Sequence, residues 1–288
     1  MKIQGVLIPL ITPFKDGEVD LASYKNMIEY YSKKGAAGFL PLATTGETPT
    51  LSNYEYQNVL EKTVEYNKSK LPIYVGFGGN NTSKMVKDVK MFEKYDIKGI
   101  LSVCPYYNRP DQRGIYEHFK NISEATPLDI IIYNIPYRTG RNIENDTIRK
   151  LSQLKNIVGV KDACGDFNQT TNLLLNRPAD DNFSILTGED AFFYSTLMLG
   201  GDGGIMASAH INTEKYIEIY NKAKQNDHEG AFKIWKEIAP IIPLLFEEPN
   251  PAPIKYCLSK SGMIASDDVR LPLVKISETL QEKLNKIL

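Results

Sequence analysis

One lysine in this sequence stands where a nucleophilic amine would be made. Lys161 directly follows the apolar run Ile157-Val158-Gly159-Val160. A strand built from that run leaves the ammonium at its mouth end, close to an apolar core. Desolvation disfavours the charged form, so the pKa falls and the free amine can attack a ketone to give an imine. The competing reading is a lysine that caps a strand in an ion pair, with Asp162 or Glu47 as the partner.

Imine chemistry needs a proton carrier to take water off the carbinolamine and return it. Tyr133 ends another apolar run, Thr44 offers a hydroxyl and Tyr107 a second phenol. The chain has 17 tyrosines, most of which must be packing residues, so neither phenol stands out by type alone. Arg138 lies between Pro136 and Gly140, and its planar fork suits a carboxylate. Thr44-Thr45-Gly46 supplies hydroxyls and backbone N–H groups in a tight turn, which could hold the carboxylate of a 2-oxo acid. Taken singly, these also read as a surface arginine and an ordinary β/α turn. Metal chemistry is poorly supported: His118, His210 and His228 have no zinc-like spacing, and only His210 lies near a strand end. Cys104, Cys164 and Cys257 are sparse and form no CxxC pair, so they read as small buried hydrophobes in a reducing compartment.

The elements that must position these residues are legible as apolar runs of four to eight residues, the signature of strands buried on both faces. They fall at 5–11, 36–42, 71–77, 98–103, 128–133, 157–160, 183–186 and 203–207. Helical periodicity fills 21–34, 52–68, 83–95, 113–125 and 144–154, with Ser52 and Glu55 spaced as a capping box. This alternation predicts a parallel (β/α)8 TIM barrel over 1–212, in which the chemistry sits where the strands end. An open doubly wound sheet is the competitor, but no GxGxxG opens the first helix. Residues 213–288 read as helices packed on the barrel, without a linker to mark an independent domain.

Thirty-four basic against 35 acidic residues suggest neither a nucleic-acid surface nor a polybasic membrane patch. No apolar stretch approaches the ~18 residues of a membrane span. The segment Met1-Lys2-Ile3-Gln4-Gly5-Val6 reads as the approach to a first strand rather than a signal peptide, and the expected location is the cytoplasm.

Several motifs fall in a specific order. These are Gly5-Val6-Leu7-Ile8-Pro9-Leu10-Ile11-Thr12-Pro13-Phe14, Thr44-Thr45-Gly46-Glu47, Pro105-Tyr106-Tyr107-Asn108, Tyr133-Asn134-Ile135-Pro136, Lys161-Asp162, the run from Phe246 through Glu248-Pro249-Asn250-Pro251 to Lys255, and Val269-Arg270-Leu271-Pro272. Together they resemble the dihydrodipicolinate synthase / N-acetylneuraminate lyase family of class I pyruvate aldolases over almost the whole chain. The resemblance implies a Schiff base between Lys161 and pyruvate and a proton relay of Thr44, Tyr107 and Tyr133. It implies further that Tyr107 acts in a neighbouring subunit's site, that Thr44 and Thr45 hold the pyruvate carboxylate, and that Gly188 and the Ile205 main chain line the pocket. No metal or organic cofactor is implied. The assembly implied is a homotetramer, a dimer of tight dimers. Arg138, in Tyr133-Asn134-Ile135-Pro136-Tyr137-Arg138-Thr139-Gly140, points to the synthase branch, where it would hold the carboxylate of aspartate semialdehyde. Lysine-sensitive members carry histidines where this chain has Asn53 and Tyr56 and a glutamate where it has Lys84, so lysine inhibition is expected to be weak or absent.

Two features depart from the family's usual pattern. The lysine is followed by Asp162 rather than glutamate, and Pro41 and Ala43 replace a glycine-containing lead-in to the threonine pair. They keep open a lyase for N-acetylneuraminate or a 2-keto-3-deoxy sugar acid, which would share Lys161 and Tyr133. A non-catalytic 2-oxo acid sensor is the rival of a different class.

Overall fold

The computed structural model describes residues 2–179 and 182–288. Eight parallel strands form its central sheet: β1 (Gly5–Ile8), β2 (Gly38–Phe39), β3 (Tyr74–Gly76), β4 (Gly99–Val103), β5 (Asp129–Asn134), β6 (Ile157–Asp162), β7 (Ser184–Thr187) and β8 (Gly203–Ile205). Their order is β2-β1-β8-β7-β6-β5-β4-β3, so sequence neighbours lie side by side except β2 and β3, which end the row, and β1 and β8 are adjacent. An isolated parallel bridge joins Phe39 of β2 to Ile73, the residue before β3. The Phe39 N–H donates to the Pro72 carbonyl at 2.9 Å. The fold is a (β/α)8 barrel with additional C-terminal helices. The apolar runs foresaw each of these eight strands, because helices cover one face and side chains fill the other, but not the short antiparallel pair Phe14–Lys15 and Glu18–Val19. In β1, β3 and β7 each residue is buried.

The chain divides into two compact units. One comprises the residues up to Gly5 together with Tyr74–Ile205. Its core holds Ile130, Ile131, Ile132, Val160 and Ile185 from the strands, with Ile115, Phe119 and Ile148 from the helix faces. The other comprises Val6–Ile73 and Met206–Leu288. Tyr24, Met27, Ile28, Val59, Tyr216, Ile254 and Leu280 are buried in it.

The helices mostly begin where capping chemistry starts them. Leu21–Lys34 is capped by the Asp20 carboxylate, and Gly35 ends it at φ 92°, a left-handed conformation that glycine adopts without strain. The predicted capping box is present: Ser52 Oγ accepts from the Glu55 N–H at 3.2 Å, and the Glu55 carboxylate accepts from the Ser52 N–H at 2.8 Å.

Several boundaries differ from the sequence reading. Residues 83–95 are an α-helix only as far as Asp88, then tighten to a 3-10 helix over Val89–Lys94. Phe167–Leu175 and Phe193–Met198 are helical although periodicity did not mark them. The first is polar in its middle, Asn168-Gln169-Thr170-Thr171-Asn172, and is started by the Asp166 cap. Within 213–288, expected to be helical, the helix His228–Ile238 gives way to two short turns where Pro240 and Pro243 follow, and the last helix covers Glu278–Asn285. Among the described residues no helix is long and apolar enough to cross a membrane.

Candidate active site

In the unit that contains Lys161, the register of two strands creates the central pair. β5 and β6 run parallel with Tyr133 opposite Lys161 and Asn134 opposite Asp162. Tyr133 is 5% exposed and Lys161 6%. The Lys161 Nζ lies 4.3 Å from the centroid of the Tyr133 ring. Gly188 follows β7 directly. A Cβ at Gly188 would sit 2.5 Å from Lys161 Cε and 2.7 Å from its Cγ, so the missing side chain is the groove that holds the lysine stem. The Gly188 N–H donates to the Asp162 carbonyl at 2.6 Å, which ties that groove to β6.

Burial pushes the Lys161 pKa down to about 8. Asp190 and Glu189 oppose the shift through space, while the Arg138 charge adds to it. The Glu189 carboxyl is itself raised, first by burial and then by Asp190. An amine with a pKa near 8 is free in a useful fraction of molecules at neutral pH.

The bland alternative for Lys161, an ion pair with Asp162 or Glu47, is not what these carboxylates do. The Asp162 side chain is buried and accepts from the Thr170 hydroxyl at 2.6 Å, the Asn134 amide at 3.4 Å and the Cys164 thiol at 3.5 Å. Burial raises its pKa and these hydrogen bonds partly offset the rise. Glu47 is held by another lysine, described below.

Arg138 sits on the one-turn helix Pro136–Thr139 that follows β5. It is exposed, its Nε donates to the Tyr137 hydroxyl at 2.9 Å, and its guanidinium carbon lies 5.1 Å from the centroid of that ring. Ile205 is buried at the end of β8. Tyr107 is different: it is 89% exposed and adopts φ 71°. A non-glycine residue in that region costs about 1–2 kcal/mol. The structure therefore does not bring the Tyr107 phenol into the buried group around Tyr133.

In the second unit, Thr44–Gly46 forms a one-turn 3-10 helix after β2. Thr45 is buried and Thr44 half-buried. The Thr12 hydroxyl donates to the Gly46 carbonyl at 2.7 Å. The Asn250 amide donates to Thr45 Oγ1 at 3.1 Å. Glu47 closes the turn at φ 52°. Its carboxylate is fully buried against the equally buried Lys255 ammonium, and it also accepts from the Arg270 N–H at 3.0 Å. The Lys255 Nζ donates to the Asp268 carbonyl at 2.8 Å and lies 4.1 Å from the centroid of the Phe14 ring. Burial lowers the Lys255 pKa, and Glu47 pulls it back up.

Nothing in the spacing of Glu47 and Lys255 pairs them, since they are distant in sequence. A signal existed: Lys255 stands among Ile254, Tyr256, Cys257 and Leu258, and a charge inside an apolar run must be paired if it is buried.

The buried histidines are neutral. His210 Nδ1 donates to the Ala207 carbonyl at 2.8 Å while Nε2 accepts from the Ile11 N–H at 3.4 Å. His118 Nδ1 bonds the Thr82 hydroxyl at 2.9 Å, while its Nε2 is buried with no hydrogen bond among the described residues. Burial pushes both pKa values down to about 4. Among the described residues no three side chains gather that could hold a metal ion.

Comparison with known proteins places the whole chain in a family. The model of the dihydrodipicolinate synthetase family matches residues 2–288. The chain is 80% identical over 288 residues to 4-hydroxy-tetrahydrodipicolinate synthase 2 of Clostridium acetobutylicum, covering 100% of both chains. It is 39% identical over 287 residues to the 4-hydroxy-tetrahydrodipicolinate synthase of Thermotoga neapolitana, covering 99% of this chain and 97% of that one. Among solved structures, the dihydrodipicolinate synthase of Thermotoga maritima superposes with a TM-score of 0.96 at 37% identity, covering 100% of this chain and 98% of that chain. Matched from end to end, and with a desolvated lysine on the sixth strand, the chain belongs to the dihydrodipicolinate synthetase family.

Proposed function

We propose that this chain condenses pyruvate with L-aspartate 4-semialdehyde to 4-hydroxy-tetrahydrodipicolinate through a Schiff base on Lys161. The observation that carries the assignment to Lys161 is its geometry: a buried amine, its pKa lowered to about 8, lying over the Tyr133 ring in the groove left by Gly188.

The free amine attacks the keto carbon of pyruvate, and loss of water gives the iminium. Tyr133 and Thr44, with Tyr107 supplied by a neighbouring subunit, relay the protons. The iminium is an electron sink, so a methyl proton leaves and an enamine forms. The enamine carbon attacks the aldehyde of the semialdehyde, whose carboxylate Arg138 holds. The substrate's own amine then displaces Lys161 from the imine carbon, which closes the six-membered ring and frees the lysine. One water is released overall. Thr44 and Thr45 hold the pyruvate carboxylate, and Gly188 and the Ile205 main chain line the pocket.

The 89% exposure of Tyr107 supports a role completed by a second copy, since a strained tyrosine left in solvent gains nothing in a lone chain. The assembly proposed is a tetramer, a dimer of tight dimers, located in the cytoplasm. Lys84 is exposed and ion-paired with Asp88, and it offers a cation where lysine-sensitive relatives offer a carboxylate. Inhibition by lysine is accordingly weak or absent, and half-inhibition below a millimolar would overturn that expectation.

The deciding experiment is a coupled assay with pyruvate and aspartate semialdehyde, run beside N-acetylneuraminate and 2-keto-3-deoxygluconate. Turnover with the semialdehyde alone supports the reading of Arg138. Turnover of a sugar acid alone would keep Lys161 and move the chain to the lyase branch.

A further inference from the structure

Asn250 belongs to no step above, yet its side chain is buried against one that does. It lies in the loop ahead of the helix Ala252–Lys260, with little exposed surface. Its amide donates to Thr45 Oγ1 at 3.1 Å. Its own side-chain oxygen is buried and takes no hydrogen bond among the described residues. A buried asparagine with an unmet acceptor is costly, so it is not retained to satisfy itself.

What Asn250 does to Thr45 follows from the hydroxyl's inventory. A threonine hydroxyl has one hydrogen to give and two lone pairs to receive. The amide N–H of Asn250 occupies a lone pair. The hydrogen is thereby kept off Asn250 and left for another acceptor, and a donor on the oxygen polarises the O–H toward giving it. A hydroxyl set in this way suits a carboxylate and disfavours a ligand that must itself donate.

The loop that carries Asn250 is anchored to the same turn a second time. Lys255, one turn into the helix, is buried against Glu47, and Glu47 closes the turn that begins at Thr44. The Arg270 N–H and the Phe14 ring complete the enclosure. The distance between Asn250 and Thr45 is thus fixed at both ends by buried groups that have few other places to go.

We infer that Asn250 is a positioning residue that aims the Thr45 hydroxyl at the carboxylate of the 2-oxo acid, and that the Lys255–Glu47 pair holds it there. This rests on the proposed role of Thr45 in holding the pyruvate carboxylate. It adds a residue through which the site distinguishes a carboxylate from a neutral group.

The test uses borohydride trapping of the Lys161 imine, with pyruvate and, separately, with acetone, a ketone that lacks the carboxylate. Trapping is followed by mass against ketone concentration. Asn250→Ala should raise the half-saturating pyruvate concentration about tenfold, the scale of one charge-assisted hydrogen bond, and leave acetone trapping unchanged. Asn250→Asp keeps the shape and exchanges the donor for an acceptor. It should raise the pyruvate value further, because the aspartate takes the Thr45 hydrogen and repels the carboxylate. KM for pyruvate should move with little change in kcat, and KM for the aldehyde should stay put.

Equal losses with pyruvate and acetone, or no loss with either, would overturn the inference. So would soluble wild type beside variants that fail to fold, since Asn250 would then be structural only. Failure of the underlying reading looks different: wild-type enzyme would not trap pyruvate at all, or Thr45→Val would leave pyruvate saturation untouched.

Discussion

Two buried lysines, one in each unit, show how the same desolvation yields opposite chemistry. Lys161 and Lys255 are both nearly sealed from solvent, and burial lowers the pKa of both. Lys255 is pressed against the Glu47 carboxylate and donates to the Asp268 carbonyl. Its pKa falls to about 8, as that of Lys161 does, but its charge is answered within hydrogen-bond reach, so it serves as a fastening. Lys161 has the face of Tyr133 beneath it, and the carboxylates of Asp190 and Glu189 act on it only through space. Partial compensation leaves its pKa at about 8, so a useful fraction of molecules carries the free amine that a nucleophile needs. Burial makes a lysine reactive only where no carboxylate closes on it.

The largest effect expected separates the two by activity. Lys161→Ala should lower kcat by at least about a thousandfold and abolish the borohydride-trapped pyruvate adduct. Because it removes a desolvated amine, it should unfold in denaturant no earlier than the wild type. An adduct of unchanged yield in that variant would end the assignment.

Lys255→Met should do the reverse. It leaves Glu47 buried without its counter-charge, which costs about 3–5 kcal/mol of stability. Adding Glu47→Gln should restore most of the loss, as measured by denaturant unfolding. Both variants should still form the pyruvate adduct, because Lys161 is intact, but at a raised half-saturating pyruvate concentration, because the support of Asn250 and Thr45 is weakened. If Lys255→Met is as stable as the wild type, the pair is not the fastening described here.

A smaller effect comes from the groove. Gly188→Ala places a methyl 2.5 Å from Lys161 Cε, so the lysine stem must shift. A displacement of about 1 Å at a reacting group can cost about a hundredfold, and a loss of that order in kcat/KM with a retained fold is expected. Wild-type kinetics would show that the groove is slack.

The smallest is a pH dependence. With the Lys161 pKa lowered to about 8, the free-amine fraction rises about fivefold between pH 7 and pH 8 and levels off above. The rate of pyruvate trapping should follow that rise. The sign matters: loss of the proton creates the nucleophile, so trapping must weaken toward acid. A rate that is flat from pH 6 to pH 9 would mean that the amine is not limiting, or that its pKa lies elsewhere.

The sequence determined the strands and the mouth end of β6. Strands covered on both faces must be continuously apolar, and a lysine placed where such a run stops must sit near the core. It also determined the start of the helix at Asn53, since a capping box is written within four residues. The short helices after β6 and β7 escaped because their faces are too polar or too brief to show a period. Tertiary structure alone decided which carboxylate meets which lysine. Glu47 looked available to Lys161, but the fold gives it to Lys255, a residue distant in sequence. Asp162, adjacent to Lys161, turns to Thr170 instead. Neighbours along a strand point to opposite faces, so adjacency in sequence separates Asp162 from Lys161. Spacing along a chain fixes local hydrogen bonds and periodic faces. Long-range charge pairing depends on the three-dimensional path of the backbone, and here that path set one lysine free and fastened the other.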